Sequence, residues 1–150
     1  PPRECLGAPT VEEFQDIHRA MRGKGAGLPV WGIVPKLKEI NTLMSPGLQD
    51  RVYEFHPELT WHHLAGETLE SKHTSAGLLQ RIHYLQKNSP GIFQINDSPV
   101  LQNVKLDDVL DALVGLSAAQ AIFDGPDYTR RLPAEKPKSD KRGLRMEMWY

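Results

Sequence analysis

The sequence predicts a mixed α/β chain. Five stretches space their apolar residues as helices do, while Arg51–Phe55 and Leu144–Tyr150 alternate as strands do. A length of 150 residues suits a single domain, residues 1–150, able to bury one core. Eighteen Lys and Arg against nineteen Asp and Glu leave a net charge of -1, so any contact with nucleic acid must be local. Cys5 stands alone, which excludes an internal disulfide and a CxxC pair, and fits a reducing cytoplasm. The longest apolar stretch, Val109–Phe123, is broken by Asp111, Ser117 and Gln120, so no membrane partner is expected.

Thr10-Val11-Glu12-Glu13 fits a capping box that opens the first helix, with Val11, Phe14, Ile17 and Met21 as its inner stripe and Gly23 and Gly25 at its end. The following GKGAGLP run lacks the Gly-Lys-Ser/Thr spacing of a phosphate loop and reads as a connector. Pro35 suits a first helical turn, with Ile33, Leu37, Ile40 and Leu43 or Met44 as the apolar face, until Ser45-Pro46-Gly47 stops the helix. Val52, Tyr53 and Phe55 favour a strand, which Pro57 ends while starting a short helix closed by Gly66. Thr74 can cap a fourth helix with a Leu78, Leu79, Ile82 and Leu85 face, halted at Ser89-Pro90-Gly91. Residues 92–105 read as a loop. Leu106, Val109, Leu110, Leu113 and Leu116 then define the longest helix, ended by Gly125-Pro126. Residues 127–143 form a basic, linker-like segment before LRMEMWY closes as a strand, and no internal repeat is evident.

Two acidic groups are candidates for chemistry. Glu54 and His56 share one strand face, roughly 6–7 Å apart, and a helical turn at Pro57 folds Glu58 back toward them. Asp107 and Asp108 open the last helix, where negative charge is favoured and either can cap. Asp111 lies beyond that first turn and has less local reason to be acidic; it neighbours Asp107 and Asp108 at helical spacing. Oxygen donors of this kind suit Mg²⁺ or Mn²⁺ in phosphodiester hydrolysis. By spacing alone they more readily describe a solvated cap and a first-turn glutamate. His62-His63 is a weaker ligand pair, since adjacent helical side chains diverge.

Six blocks occur in a telling order: GKG (Gly23–Gly25), WGIVPKLKEIN (Trp31–Asn41), YEFHPEL (Tyr53–Leu59), SKHTSAG (Ser71–Gly77), DDVLDAL (Asp107–Leu113) and LRMEMWY (Leu144–Tyr150). In these the chain resembles an uncharacterised prokaryotic family of predicted ribonuclease-H-like nucleases. The resemblance implies a ribonuclease-H-like α/β fold, with helices on a mixed sheet, and metal-dependent phosphodiester hydrolysis of nucleic acid. By position it implies Glu54, Glu58, Asp108 and Asp111 as ligands of Mg²⁺ or Mn²⁺, with His56 orienting a ligand or moving a proton. Lys36, Lys72 and Arg81 match basic positions that meet phosphate or the acidic site. The loop after GKG departs from the family pattern in reading Ala26-Gly27-Leu28-Pro29-Val30. The family's first two aspartate-bearing strands have no counterpart, and Pro1-Pro2-Arg3 reads as the middle of a longer chain. The expectation is therefore an incomplete fold that pairs with its missing N-terminal segment or a second copy, or stays inactive. The alternative is a non-catalytic binding or assembly module of the same fold.

Overall fold

The computed structural model describes residues 1–91, 103–125 and 130–150. Most of the loop expected at 92–105 and the Pro126 stop lie outside them. Among the described residues there are six helices and one two-stranded antiparallel ribbon: α1 (Val11–Arg22), α2 (Leu28–Gly32), α3 (Val34–Leu43), α4 (Pro57–Ala65), α5 (Ser75–Asn88), α6 (Leu106–Asp124), β1 (Arg131–Leu132) and β2 (Met148–Trp149). The chain, whose length suits one domain, divides by its internal contacts into two compact units, 1–49 and 50–150.

The first unit gathers Cys5, Ala8, Phe14 and Val34 into a core, with Ile17, Val30 and Trp31 packed against it. Its main helix begins where the capping box predicts: the Thr10 hydroxyl accepts from the Glu13 backbone N–H at 3.3 Å. It ends at Gly23, whose φ of 72° is the left-handed conformation glycine adopts without a Cβ penalty. Met21, expected on the inner stripe, is exposed. The face of α3 also differs from expectation. Ile33, Ile40 and Leu43 are exposed, and the inward stripe is Val34, Leu37 and Asn41. A shift of one residue turns a helical stripe by about 100°, and the contact of Val34 with the small core decides the rotation.

The second unit packs α4, α5 and α6 around Trp61, Leu85, Leu110 and Val114, all fully buried, with Phe55, Leu64, Leu78, Ile82 and Leu113 around them. Pro57 occupies the first position of α4 and Gly66, at φ 70°, closes it, as predicted. Thr74 caps α5 by accepting from the Gly77 N–H at 3.1 Å. On that helix Leu79 is exposed, and Arg81 takes the buried place between Leu78 and Leu85.

The mixed sheet expected of a ribonuclease-H-like fold is not seen among the described residues; the sheet is the β1–β2 ribbon, in register Arg131↔Trp149 and Leu132↔Met148. The strand expected at Arg51–Phe55 is reduced to one parallel bridge, Phe55↔Trp149, fixed by the Trp149 N–H donating to the Glu54 carbonyl at 2.8 Å. Strand propensity is realised through cross-strand pairs, and here the pairing runs out after one residue. The closing strand is present but short, with Met148 and Trp149 in the ribbon and Arg145 in an isolated bridge to Ser139.

Candidate functional site

The three helices of the second unit bring polar side chains together at one end of their core. Glu58 sits in the first turn of α4 and Trp61 one turn further on, so both project from the same face. The segment Glu70–Thr74 carries Lys72 and is tied to the start of α5. The Gln80 side chain accepts from the Glu70 N–H at 2.8 Å, the Thr74 hydroxyl donates to the Ser71 carbonyl at 2.8 Å, and Arg81 donates to the Glu70 carbonyl at 2.8 Å. Gly77 makes this approach possible, because a Cβ there would run into the Ser71 carbonyl and lie 2.7 Å from that of Glu70.

Asp111 is the meeting point. One oxygen accepts from Lys72 Nζ at 2.6 Å and the other from the indole N–H of the fully buried Trp61 at 2.9 Å. Beside it, the buried Arg81 guanidinium donates to both oxygens of Glu58, at 3.2 and 2.9 Å, and to the Gly77 carbonyl at 3.0 Å, and lies 5.7 Å from the Trp61 ring centroid. Its Nε is buried with no partner among the described residues. Asp107 lies under His73, with 3.8 Å between His73 Nδ1 and its carboxylate. The hydrogen bond that Lys72 donates to Asp111 raises the Lys72 pKa, burial pulls it down, and the charges of Asp111, Glu58 and Asp107 raise it further. The ammonium thus feels three carboxylates. Lys72 and Arg81 set against Glu58, Asp107 and Asp111 leave one formal negative charge in excess, with the His73 ring beside Asp107.

Several sequence-predicted site residues stand elsewhere. Glu54 and His56 are exposed; His56 is the residue before α4 and makes no side-chain cap. Asp108 is exposed on α6. Neither Asp107 nor Asp108 caps that helix, since Lys105 precedes its first residue and no side-chain cap is made. Lys36 belongs to the first unit, where it pairs with Glu39 at 3.2 Å on an exposed face. The expected convergence of Glu54, His56 and Glu58 is thus replaced by a pairing of Glu58 with Arg81, and Asp111 is drawn to Lys72. Among the described residues no group of three or more His, Cys, Asp or Glu is arranged to hold a metal ion. As they stand, the acids engaged by Lys72 and Arg81 do not fit a divalent cation. The glycine connector is held through its carbonyls, Lys24 accepting from His18 Nδ1 at 2.7 Å and Ala26 from the Gln15 amide. This loop is therefore fastened to α1 through its carbonyl acceptors.

A family model described as a protein of unknown function, DUF429, matches residues 1–138. The chain belongs to the DUF429 family. No curated protein and no solved structure matches it. In this DUF429 chain the residues that sequence reading passed over are Trp61, His73 and, except as a cap, Asp107. Trp61 had a signal: it follows Glu58 by three positions on a short helix, the spacing of neighbours on one face. No helix among the described residues is long and apolar enough to cross a membrane.

Proposed function

We propose that the chain is a nuclease-like module for phosphodiester hydrolysis that depends on Mg²⁺ or Mn²⁺. The reading draws on the six ordered sequence blocks, and the observation that carries it is the gathering of Glu58, Asp107 and Asp111 around the Lys72 ammonium with negative charge in excess. Asp111 is the residue on which it turns, because Asp111 already binds a cation through a half-buried carboxylate. Glu54, His56 and Asp108 enter as exposed groups that could complete the site on the substrate side, and Lys36, on the exposed face of α3, enters separately as a phosphate contact. A divalent ion at Asp111 has to compete with Lys72 for the same oxygens. Titration of Mn²⁺ into the native protein, Asp111→Asn and Lys72→Ala, with cleavage of short RNA and DNA followed in parallel, tests this. Affinity should fall in Asp111→Asn and rise in Lys72→Ala; equal affinity in all three proteins would remove the cation from the cluster.

A second reading, a non-catalytic binding or assembly module, is favoured by one specific observation. Glu58 and Asp111 are each neutralised within the chain, by Arg81 and Lys72, and so need no ion to be tolerated. Thermal melting with and without millimolar Mg²⁺ separates the two readings, because an ion bound to the folded state raises the midpoint. An unmoved midpoint together with absent cleavage would favour the binding module.

A further inference from the structure

A second site lies in the same unit, built from residues that the acidic cluster does not use. Asp50, Tyr53, Ile122, Arg131, Arg145, Glu147 and Trp149 line an open cleft of about 310 Å³, at the small end of ligand-pocket size. Its charges cancel within the walls. Glu147 is nearly buried and accepts from Arg145 Nε at 2.8 Å and from Arg131 at 3.3 Å, while Arg145 also reaches Asp50 at 3.0 Å. Two arginines against two carboxylates make this a poor phosphate trap. What the cleft offers instead is planar surface.

Trp149 is covered by the Arg131 guanidinium, 5.8 Å from its ring centroid, and meets the Tyr53 ring edge-on at 5.4 Å. Tyr53 is partly exposed yet fixed, because its hydroxyl donates to the Asp50 carbonyl at 3.0 Å and its ring rests against Trp149. An exposed aromatic ring held at both ends, beside guanidinium planes, is a stacking platform whose order is already established before a ligand arrives. At the rim, Asp50 has one oxygen held by Arg145 and the other without a partner among the described residues, on an exposed side chain. That oxygen can only accept.

We propose that this cleft binds one unpaired nucleobase, stacked on Tyr53 and the Arg131 plane, whose exocyclic amino group donates to Asp50. Adenine, guanine and cytosine carry such an exocyclic donor while uracil offers only its ring N3–H, so uracil is expected to rank below them. The inference goes beyond the hydrolytic reading and does not need it, since binding is read without any divalent cation.

The experiment is equilibrium binding of adenosine, guanosine, cytidine and uridine, as free nucleosides in EDTA, to the full chain by calorimetry. Saturable binding of the three amino-bearing nucleosides, with uridine weaker, is expected. Tyr53→Ala should weaken all by about tenfold through lost stacking. Asp50→Ala should bring the amino-bearing nucleosides down to the level of uridine. Melting curves of each variant confirm folding, so that weakened binding is read only from folded protein. Absence of saturable binding by every nucleoside, or binding that Tyr53→Ala leaves unchanged, overturns the proposal. So does a preference for amino-bearing bases that survives Asp50→Ala.

Discussion

Asp111 has two donors that lose their acceptor together if its carboxylate is removed. Trp61 is wholly buried, so its indole N–H cannot turn to water, and Lys72 sits largely out of solvent. Asp111→Ala is therefore expected to cost about 2–3 kcal/mol in urea unfolding, the scale of a buried donor left unsatisfied. Asp111→Asn keeps an acceptor for Trp61 and should cost less. Lys72 makes the pair sensitive to alkali. Its folded-state pKa is raised, so its stabilising contribution is complete below the ordinary lysine value of about 10.4 and is lost as pH climbs through the raised one. Melting midpoints of the native protein and Lys72→Met should converge in strongly alkaline buffer and differ near neutrality; a constant gap across that range would contradict the assignment. The resemblance implied that Lys72 and Arg81 meet phosphate or the acidic site, but which acid each would meet was not legible in the sequence. Asp111 was singled out because its acidity had no local explanation, but its partner Lys72 is 39 positions away and that of Glu58, Arg81, is 23 positions away. Helical spacing says nothing about which distant cation arrives.

At the scale of elements, the local signals served well and the long-range ones did not. Thr10, Thr74, Pro57, Gly23 and Gly66 mark helix ends where they were read, because a cap is decided within four residues of itself. Leu79 and the Ile40 face were misplaced because the outward or inward sense of a stripe depends on what it packs against. The Glu70–Thr74 segment shows how tightly one such element is specified. Gly77→Ala would drive a methyl group into the Ser71 carbonyl and force away the turn that bears Lys72. A loss of about 1–3 kcal/mol is expected, as for overpacking elsewhere, together with disappearance of the high-pH sensitivity described for Lys72. Retention of that sensitivity in a destabilised Gly77→Ala protein would show that the turn does not position the lysine.

Over the whole molecule, two cores of different make-up take the place of the one that length alone suggests. Phe14 and Val34 anchor the first, Trp61, Leu85, Leu110 and Val114 the second. Phe14→Ala, which empties a fully buried site, should cost about 3–4 kcal/mol. Hydrogen exchange should report faster opening of amides in residues 1–49 while those of α5 and α6 keep their native protection; uniform acceleration would mean that the two units open as one. Glu54 has a different kind of dependence. Its carbonyl is satisfied by the Trp149 N–H, from a residue almost a hundred positions later. At synthesis rates of about 5–20 residues per second, that acceptor waits about 5–20 s on the ribosome for its donor. Throughout that interval the backbone leading into α4 lacks its Trp149 partner, so a residue synthesised long after it is the one that fastens the start of the 50–150 unit.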